Sequence, residues 1–187
     1  VEASFAAALQ AMGRIDACFA NAGVTQKRAA FHELSTAEWR RVMSVNLDGA
    51  FFTLRAAARH MVARAEAGDP GGRLVTVAST AAVHGPARHE AYAASKGALL
   101  AMTRALAVEF ARHKVTANAI LPGWIATDMT AARVDDPKFA GAVLPRIPLR
   151  RWGDGADFAG IATYLASDAS AYHTGDAFVI DGAYTIF

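Results

Sequence analysis

Tyr92-Ala93-Ala94-Ser95-Lys96 lies inside a stretch of helical composition that runs from Glu90 to His113, with Ala94, Gly97, Ala98, Ala101 and Ala105 as small residues on one side. Tyr and Lys four positions apart project from one helix face, a turn apart. A phenol is a poor base near neutrality, because it ordinarily titrates near pH ~10. An ammonium within a few ångströms favours the phenolate and brings that value toward working pH. Just upstream, Leu74 to Ala78 reads as a buried strand that ends at Ser79. A hydroxyl at that point is placed to hold a substrate oxygen while Tyr92 moves a proton. Downstream, Val115 to Leu121 reads as another strand, ended by Pro122-Gly123.

The same punctuation continues in both directions. Glu2 to Met12 is helical in pattern, with Gly13 as its stop. Ile15 to Ala20 is a short apolar run of strand length that leads into Asn21-Ala22-Gly23. Ser35-Thr36-Ala37-Glu38 has capping-box spacing and opens a long helical stretch to about Ala67, broken by Asp69-Pro70-Gly71-Gly72. Asn46 falls inside that helix, where its amide competes for backbone bonds, so a local kink is expected. Thr127 to Leu149 reads as short broken helices, because Pro137, Pro145 and Pro148 prevent a single one. Asp154 is placed to cap a helix through Ser167, and Ala177 to Ile180 is the last strand, closed by Asp181-Gly182. Strands alternating with helices of about 15 to 25 residues predict βαβ crossovers and an α/β fold with a doubly wound, mostly parallel sheet between two helical layers. Ligands in such sheets bind at the carboxyl ends of the strands. Asn21 to Gly23, Ser79, and Pro122 to Thr127 each follow a strand and therefore share that edge.

Composition narrows the classes. The 187 residues are 53% hydrophobic and 19% charged, as in one globular domain. A net charge of +2, with basic residues scattered along helices, is too mild for a nucleic-acid binder. The single Cys18 excludes an internal disulfide and points to the cytoplasm. No apolar run is long enough for a membrane span. His84 and His89 lack a cysteine or carboxylate partner in any ligand pattern, so metal-free chemistry is expected. A serine hydrolase is disfavoured, because no G-x-S-x-G elbow surrounds Ser79.

With Ser79 upstream, Asn21-Ala22-Gly23 and Asn46 before it, and Pro122-Gly123 after it, Tyr92-x-x-x-Lys96 resembles the motif set of the classical short-chain dehydrogenase/reductase family, over essentially the whole chain. The resemblance implies a Rossmann-like domain. It also implies an NAD- or NADP-dependent enzyme that interconverts a secondary alcohol and a ketone by hydride transfer. In that scheme Tyr92 is the general acid/base, and Ser79 orients the substrate oxygen. Lys96 lowers the Tyr92 pKa and holds the nicotinamide ribose, and Asn46 supports a water link from Lys96 to solvent. Asn21, Ala22 and Gly23 brace the central strand near the adenosine ribose. Pro122, Gly123, Ile125 and Thr127 meet the carboxamide, Ile125 through its backbone and Thr127 through its hydroxyl. By position in the sequence, His84, His89, Trp124 and Met129 join Ser79 as candidate substrate contacts. The family's pairing of long helices across a two-fold axis implies a homotetramer or homodimer.

The Gly-rich turn that receives a pyrophosphate at a helix N-terminus is not found, since Gly71-Gly72 precedes a strand. In the family that turn and the ribose-reading residue lie two βαβ steps earlier, roughly 60 residues at ~30 each. The chain is therefore expected to be the C-terminal three quarters of a domain of about 250 residues. Otherwise Ile15 to Ala20 forms an exposed hydrophobic edge, which proteins avoid. The residues that choose between NAD and NADP are absent. The rival reading is a truncated or non-catalytic nucleotide-binding or assembly protein on the same fold.

Overall fold

The computed structural model describes residues 1–187. Four strands, β1 (Ala17–Ala20), β2 (Gly72–Val77), β3 (Val115–Pro122) and β4 (Ala177–Ile180), form one sheet in that spatial order, and every neighbouring pair is parallel. Parallel neighbours require crossovers, and helices supply them. Helix α1 (Glu2–Met12) ends where Gly13 takes the left-handed conformation at φ 71°, and its Phe5 ring sits edge-on to His60. Between β1 and β2 runs a continuous helical rod: α2 (Thr36–Met43), a π turn over Ser44–Asp48, and α3 (Gly49–Glu66). Helix α4 (Glu90–Phe110) joins β2 to β3. Three shorter helices, α5 (Ala131–Val134), α6 (Pro137–Val143) and α7 (Ala159–Ala166), lie between β3 and β4.

The alternation of side chains along each strand sorts these helices onto two faces. Leu74, Ala117, Ala119 and Leu121 face Leu54, Ala57, Ala58 and Met61 of α3 and Leu99, Leu100 and Ala107 of α4. Val75 and Ile120 face the other way, against Leu165 of α7, with Phe19, Ile161 and Phe178 around them. The alanines on β3 and α4 let helix and strand approach closely, and each fully buried leucine contributes roughly 1.5–3 kcal/mol. Within this layer Thr76 Oγ1 and Thr103 Oγ1 bond to each other at 2.8 Å. A third cluster of Val143, Ile147 and Tyr184, packed with Trp124, Phe139 and Trp152, ties the segment after β3 to the C-terminus.

The capping box at Ser35 forms by half. Ser35 Oγ accepts the Glu38 N–H at 3.1 Å, but the Glu38 carboxylate turns outward to the Lys27 N–H at 2.7 Å and to the Arg41 guanidinium. That diversion fastens the loop after β1 onto α2. The helix expected after Asp154 begins with a 3-10 turn, Gly155–Phe158, under a complete capping box between Asp154 and Asp157. No helix is long and apolar enough to cross a membrane.

Candidate active site

Three separate segments deliver the candidate residues to the carboxyl edge of the sheet. The loop after β1 brings Asn21, Ala22 and Gly23, the end of β2 brings Ser79, and the first turns of α4 bring Tyr92 and Lys96. Together with Pro122, Gly123, Ile125, Thr127 and Met129 they line one cavity of about 800 Å³. Asp128, Thr130, Phe158 and Ala162 also line it.

Lys96 is only 4% exposed. Its Nζ donates to the Val77 carbonyl at 2.8 Å, at the frayed end of β2 where the ladder no longer uses that oxygen. Burial brings the ammonium down to about 8. Tyr92 lies within the same wall, with Lys96 Nζ 5.7 Å from its ring centroid. Burial raises the Tyr92 phenol above its ordinary value, and the Ser79 hydroxyl facing it pulls the other way. The expected lowering of the Tyr92 pKa by Lys96 is therefore not met in this structure. The lysine nitrogen is turned to a backbone carbonyl, and desolvation of the phenol outweighs its neighbours. Ser79 Oγ also accepts the Ala81 N–H at 3.1 Å, which caps the 3-10 turn Thr80–Ala82 and fixes the hydroxyl's direction.

Asn46 stands one layer behind the cavity, in the π turn, which is the form the expected kink takes. Its Oδ1 accepts the Val24 N–H at 2.7 Å, and its Nδ2 donates to the Val24 carbonyl and to Ser95 Oγ, both at 3.0 Å. Ser95 Oγ in turn donates to the Tyr92 carbonyl at 2.7 Å. The loop after β1 and α4 are thus joined through one buried amide. Gly23 packs closely against both Lys96 and Asn46: a methyl group there would sit 3.3 Å from Lys96 Nζ and 3.4 Å from Asn46 Oδ1.

Three of the proposed substrate contacts lie outside the cavity wall. His84 sits edge-on to Tyr184, with ring centroids 5.8 Å apart. Trp124 is locked among Phe139, Trp152 and Tyr184. His89 is bonded to Arg133. Sequence position alone brought them near, and aromatic packing drew two of them into the C-terminal cluster.

One contributor was not foreseen. Gln26 is 2% exposed. Its Oε1 accepts the Ala91 N–H at 2.8 Å and its Nε2 donates to the Arg88 carbonyl at 3.1 Å. It satisfies an orphan donor in the first turn of α4, one residue before Tyr92. A glutamine just past a turn carries no pattern that announces such a cap at a distance in sequence.

The wall suits the nicotinamide–ribose end of a dinucleotide. Gly23 adds no side chain on the side of Lys96, and Ser79, Tyr92, Lys96 and Thr127 all line the space. No comparable cradle for a pyrophosphate lies within these 187 residues.

Known proteins match this arrangement. The family model described as enoyl-(acyl carrier protein) reductase matches residues 1–185. The 5-keto-D-gluconate 5-reductase of Escherichia coli (strain K12) is 38% identical over 171 residues, covering 91% of this chain and 65% of that protein. The galactitol 2-dehydrogenase (L-tagatose-forming) of Cereibacter sphaeroides is 38% identical over 184 residues, covering 97% of this chain and 70% of its own length. The chain thus spans about two thirds of these relatives. The crystal structure of a gluconate 5-dehydrogenase from Burkholderia cenocepacia J2315, in complex with NADP and tartrate, superposes with a TM-score of 0.92 at 33% identity, covering 100% of this chain and 71% of that one. A matching family model over nearly every residue, close relatives and a shared backbone lead to one conclusion: this chain belongs to the short-chain dehydrogenase/reductase family of oxidoreductases.

Proposed function

We propose that the protein interconverts a secondary alcohol and a ketone of a polyol or sugar acid, using NAD or NADP, with Tyr92 as general acid/base. The observation that supports this is the meeting of Ser79, from the end of β2, with Tyr92 and Lys96, from α4, on one cavity at the carboxyl edge of the sheet. A bound nicotinamide cofactor supplies the hydride for reduction and accepts it in oxidation. The remaining work falls to this chain. The Ser79 hydroxyl donates to the substrate oxygen and holds it toward Tyr92. In reduction the Tyr92 phenol gives its proton to that oxygen, and in oxidation the phenolate takes it back. Burial keeps the phenol protonated at neutral pH, which suits the reductive direction. Lys96 places a positive charge beside the site and holds the cofactor's ribose hydroxyls, while Asn46, from behind, ties the loop that carries Gly23 to α4. Ile125 and Thr127 face the carboxamide. The names of relatives acting on keto-gluconate and galactitol support the substrate class.

Tyr92→Phe removes only the phenolic hydroxyl. In the full-length protein kcat is expected to fall by roughly 10²–10⁴-fold with an unchanged melting curve. Near-wild-type turnover in that variant ends the proposal. In wild type, oxidation is expected to accelerate with pH until Tyr92 ionises, above its ordinary range, and reduction to slow over the same interval.

We also infer that the chain assembles as a homodimer or homotetramer. An apolar groove of about 430 Å³ runs between α3 and α4, lined by Phe51, Leu54, Val62, Met102, Leu106 and Phe110.

A further inference from the structure

Beside the cavity, on the segment that follows its lining residues Asp128 to Thr130, stands a cation without a carboxylate partner. Arg133 donates from Nη2 to His89 Nε2 at 2.8 Å. A guanidinium can only donate, so Nε2 accepts and the His89 proton resides on Nδ1, which faces the Ala87 carbonyl at 3.4 Å. Burial, with Arg133 and Arg28 nearby, holds His89 below the usual imidazole value. His89 therefore steadies the guanidinium without neutralising it. No carboxylate pairs with Arg133. The acid beside His89, Glu90, directs Oε1 to the Arg88 N–H at 2.9 Å. Arg133 also lies over Phe139, 6.0 Å from its ring centroid, which limits the directions its fork can take.

The placement of this pair ties it to the site. The Arg133 N–H is bonded to the Thr130 carbonyl at 2.8 Å, and Thr130 lines the cavity beside Met129. His89 caps the start of α4, three residues before Tyr92. The contact from Arg133 to His89 thus joins α5, just after the cavity-lining Thr130, to the start of α4, the helix that carries Tyr92. A half-buried guanidinium with spare N–H donors and no counter-ion is complementary to a carboxylate, which its planar fork can receive with two bonds.

We propose that Arg133, steadied by His89, is the seat of a carboxylate on the substrate, so that the protein acts on hydroxy- and keto-acids in preference to neutral polyols. The word substrate rests on the oxidoreductase reading above; the anion seat itself does not. The relatives' names do not decide the matter, since one is named for a keto-acid and another for galactitol.

Calorimetric titration of the full-length protein with D-gluconate and with the neutral hexitol D-sorbitol tests it, in wild type, Arg133→Ala and Arg133→Lys. Wild type is expected to bind gluconate at least about tenfold more tightly than sorbitol. Arg133→Ala should weaken gluconate by roughly 10- to 100-fold and leave sorbitol unchanged. Arg133→Lys should fall between, because it keeps the charge and loses the fork. Where alanine unsettles α5, Arg133→Gln keeps the side-chain length and removes the charge. Equal binding of the two ligands by wild type, or equal weakening of both in the charge-removing variants, overturns the proposal. Turnover of gluconate measured alongside keeps the two readings apart. Arg133-dependent binding without turnover, in the presence of NAD or NADP, sustains the anion seat and defeats the oxidoreductase reading alone.

Discussion

Lys96 occupies a place that disfavours its own charge. Its amine is buried, and in the folded chain it titrates at about 8 against the ordinary 10.5. The unfolded chain therefore binds the proton more readily, and stability is reduced at every pH below about 8 by about 3 kcal/mol, a magnitude that follows from that difference. As pH rises from 8 toward 10.5 the folded lysine has become neutral while the unfolded one is still charged, so the deficit fades. Lys96→Met, of similar length and uncharged, is expected to raise the melting temperature at pH 7 while activity collapses. Thermal melts of the two proteins from pH 7 to 10.5 should converge as pH rises. A variant that melts below wild type at pH 7 contradicts this account of the site. The placing of Tyr92 and Lys96 on one helix face, and of Ser79 at a strand end, was legible in the sequence because each rests on local spacing, which a sequence displays. Their electrostatics were not, because Lys96 bonds Val77 and Tyr92 is desolvated, and both effects arise only from packing. Gln26 was hidden for the same reason, since its two partners lie on another element.

At the scale of elements, the turn after β3 is set by a close approach that only glycine permits. A Cβ at position 123 would come within 2.5 Å of Asp181 Cβ and 2.7 Å of Asp181 Cα. Asp181 does not give way easily, because its Oδ1 accepts the Ala183 N–H at 2.8 Å and its Oδ2 accepts the Thr185 N–H and hydroxyl at 2.8 and 2.7 Å. Gly123→Ala is therefore expected to cost about 1–3 kcal/mol, at about 2–4 °C of melting temperature per kcal/mol. It should also weaken cofactor binding, since Gly123 lines the cavity. Gly85→Ala is the control, because a Cβ there meets nothing within 4 Å. Equal melts for the two variants remove this reading of Pro122-Gly123. Element boundaries were readable wherever a local stop existed: Gly13, Asp69 to Gly72, and the prolines between Thr127 and Leu149. The π turn at Ser44–Asp48 was readable only as a kink, since its form depends on Asn46 reaching Val24 across the layer. The half-made capping box failed for a similar reason, because Lys27 and Arg41 compete for Glu38.

For the whole molecule, the parallel pairing of the strands followed from helices alternating with strands, and the order β1-β2-β3-β4 was seen only in the fold. The choice of face for α7, opposite α3 and α4, did not follow, because it depends on which side of β2 and β3 is left uncovered. The outer surface of α4 carries a second message. Ala94, Ala101, Ala105 and Val108 are exposed along one stripe at helical spacing, and Val108 is 82% exposed. Phe51 and Phe52 on α3 add to it at 42% and 41%. Small residues on a long helix let a second helix come close, and a two-fold axis lets one such surface cover its own copy. Charge on that stripe opposes assembly without disturbing the core, since Val108 has no buried neighbour to lose. Val108→Glu is therefore expected to leave the melting behaviour of the isolated subunit intact and to shift the full-length protein to a smaller species at micromolar concentration. Wild type should run as a dimer or tetramer by light scattering. A monomeric wild type refutes the assembly, and an unchanged mass in Val108→Glu places the interface on another face, such as the one that presents Ile186 and Phe187 at 87% and 73% exposure.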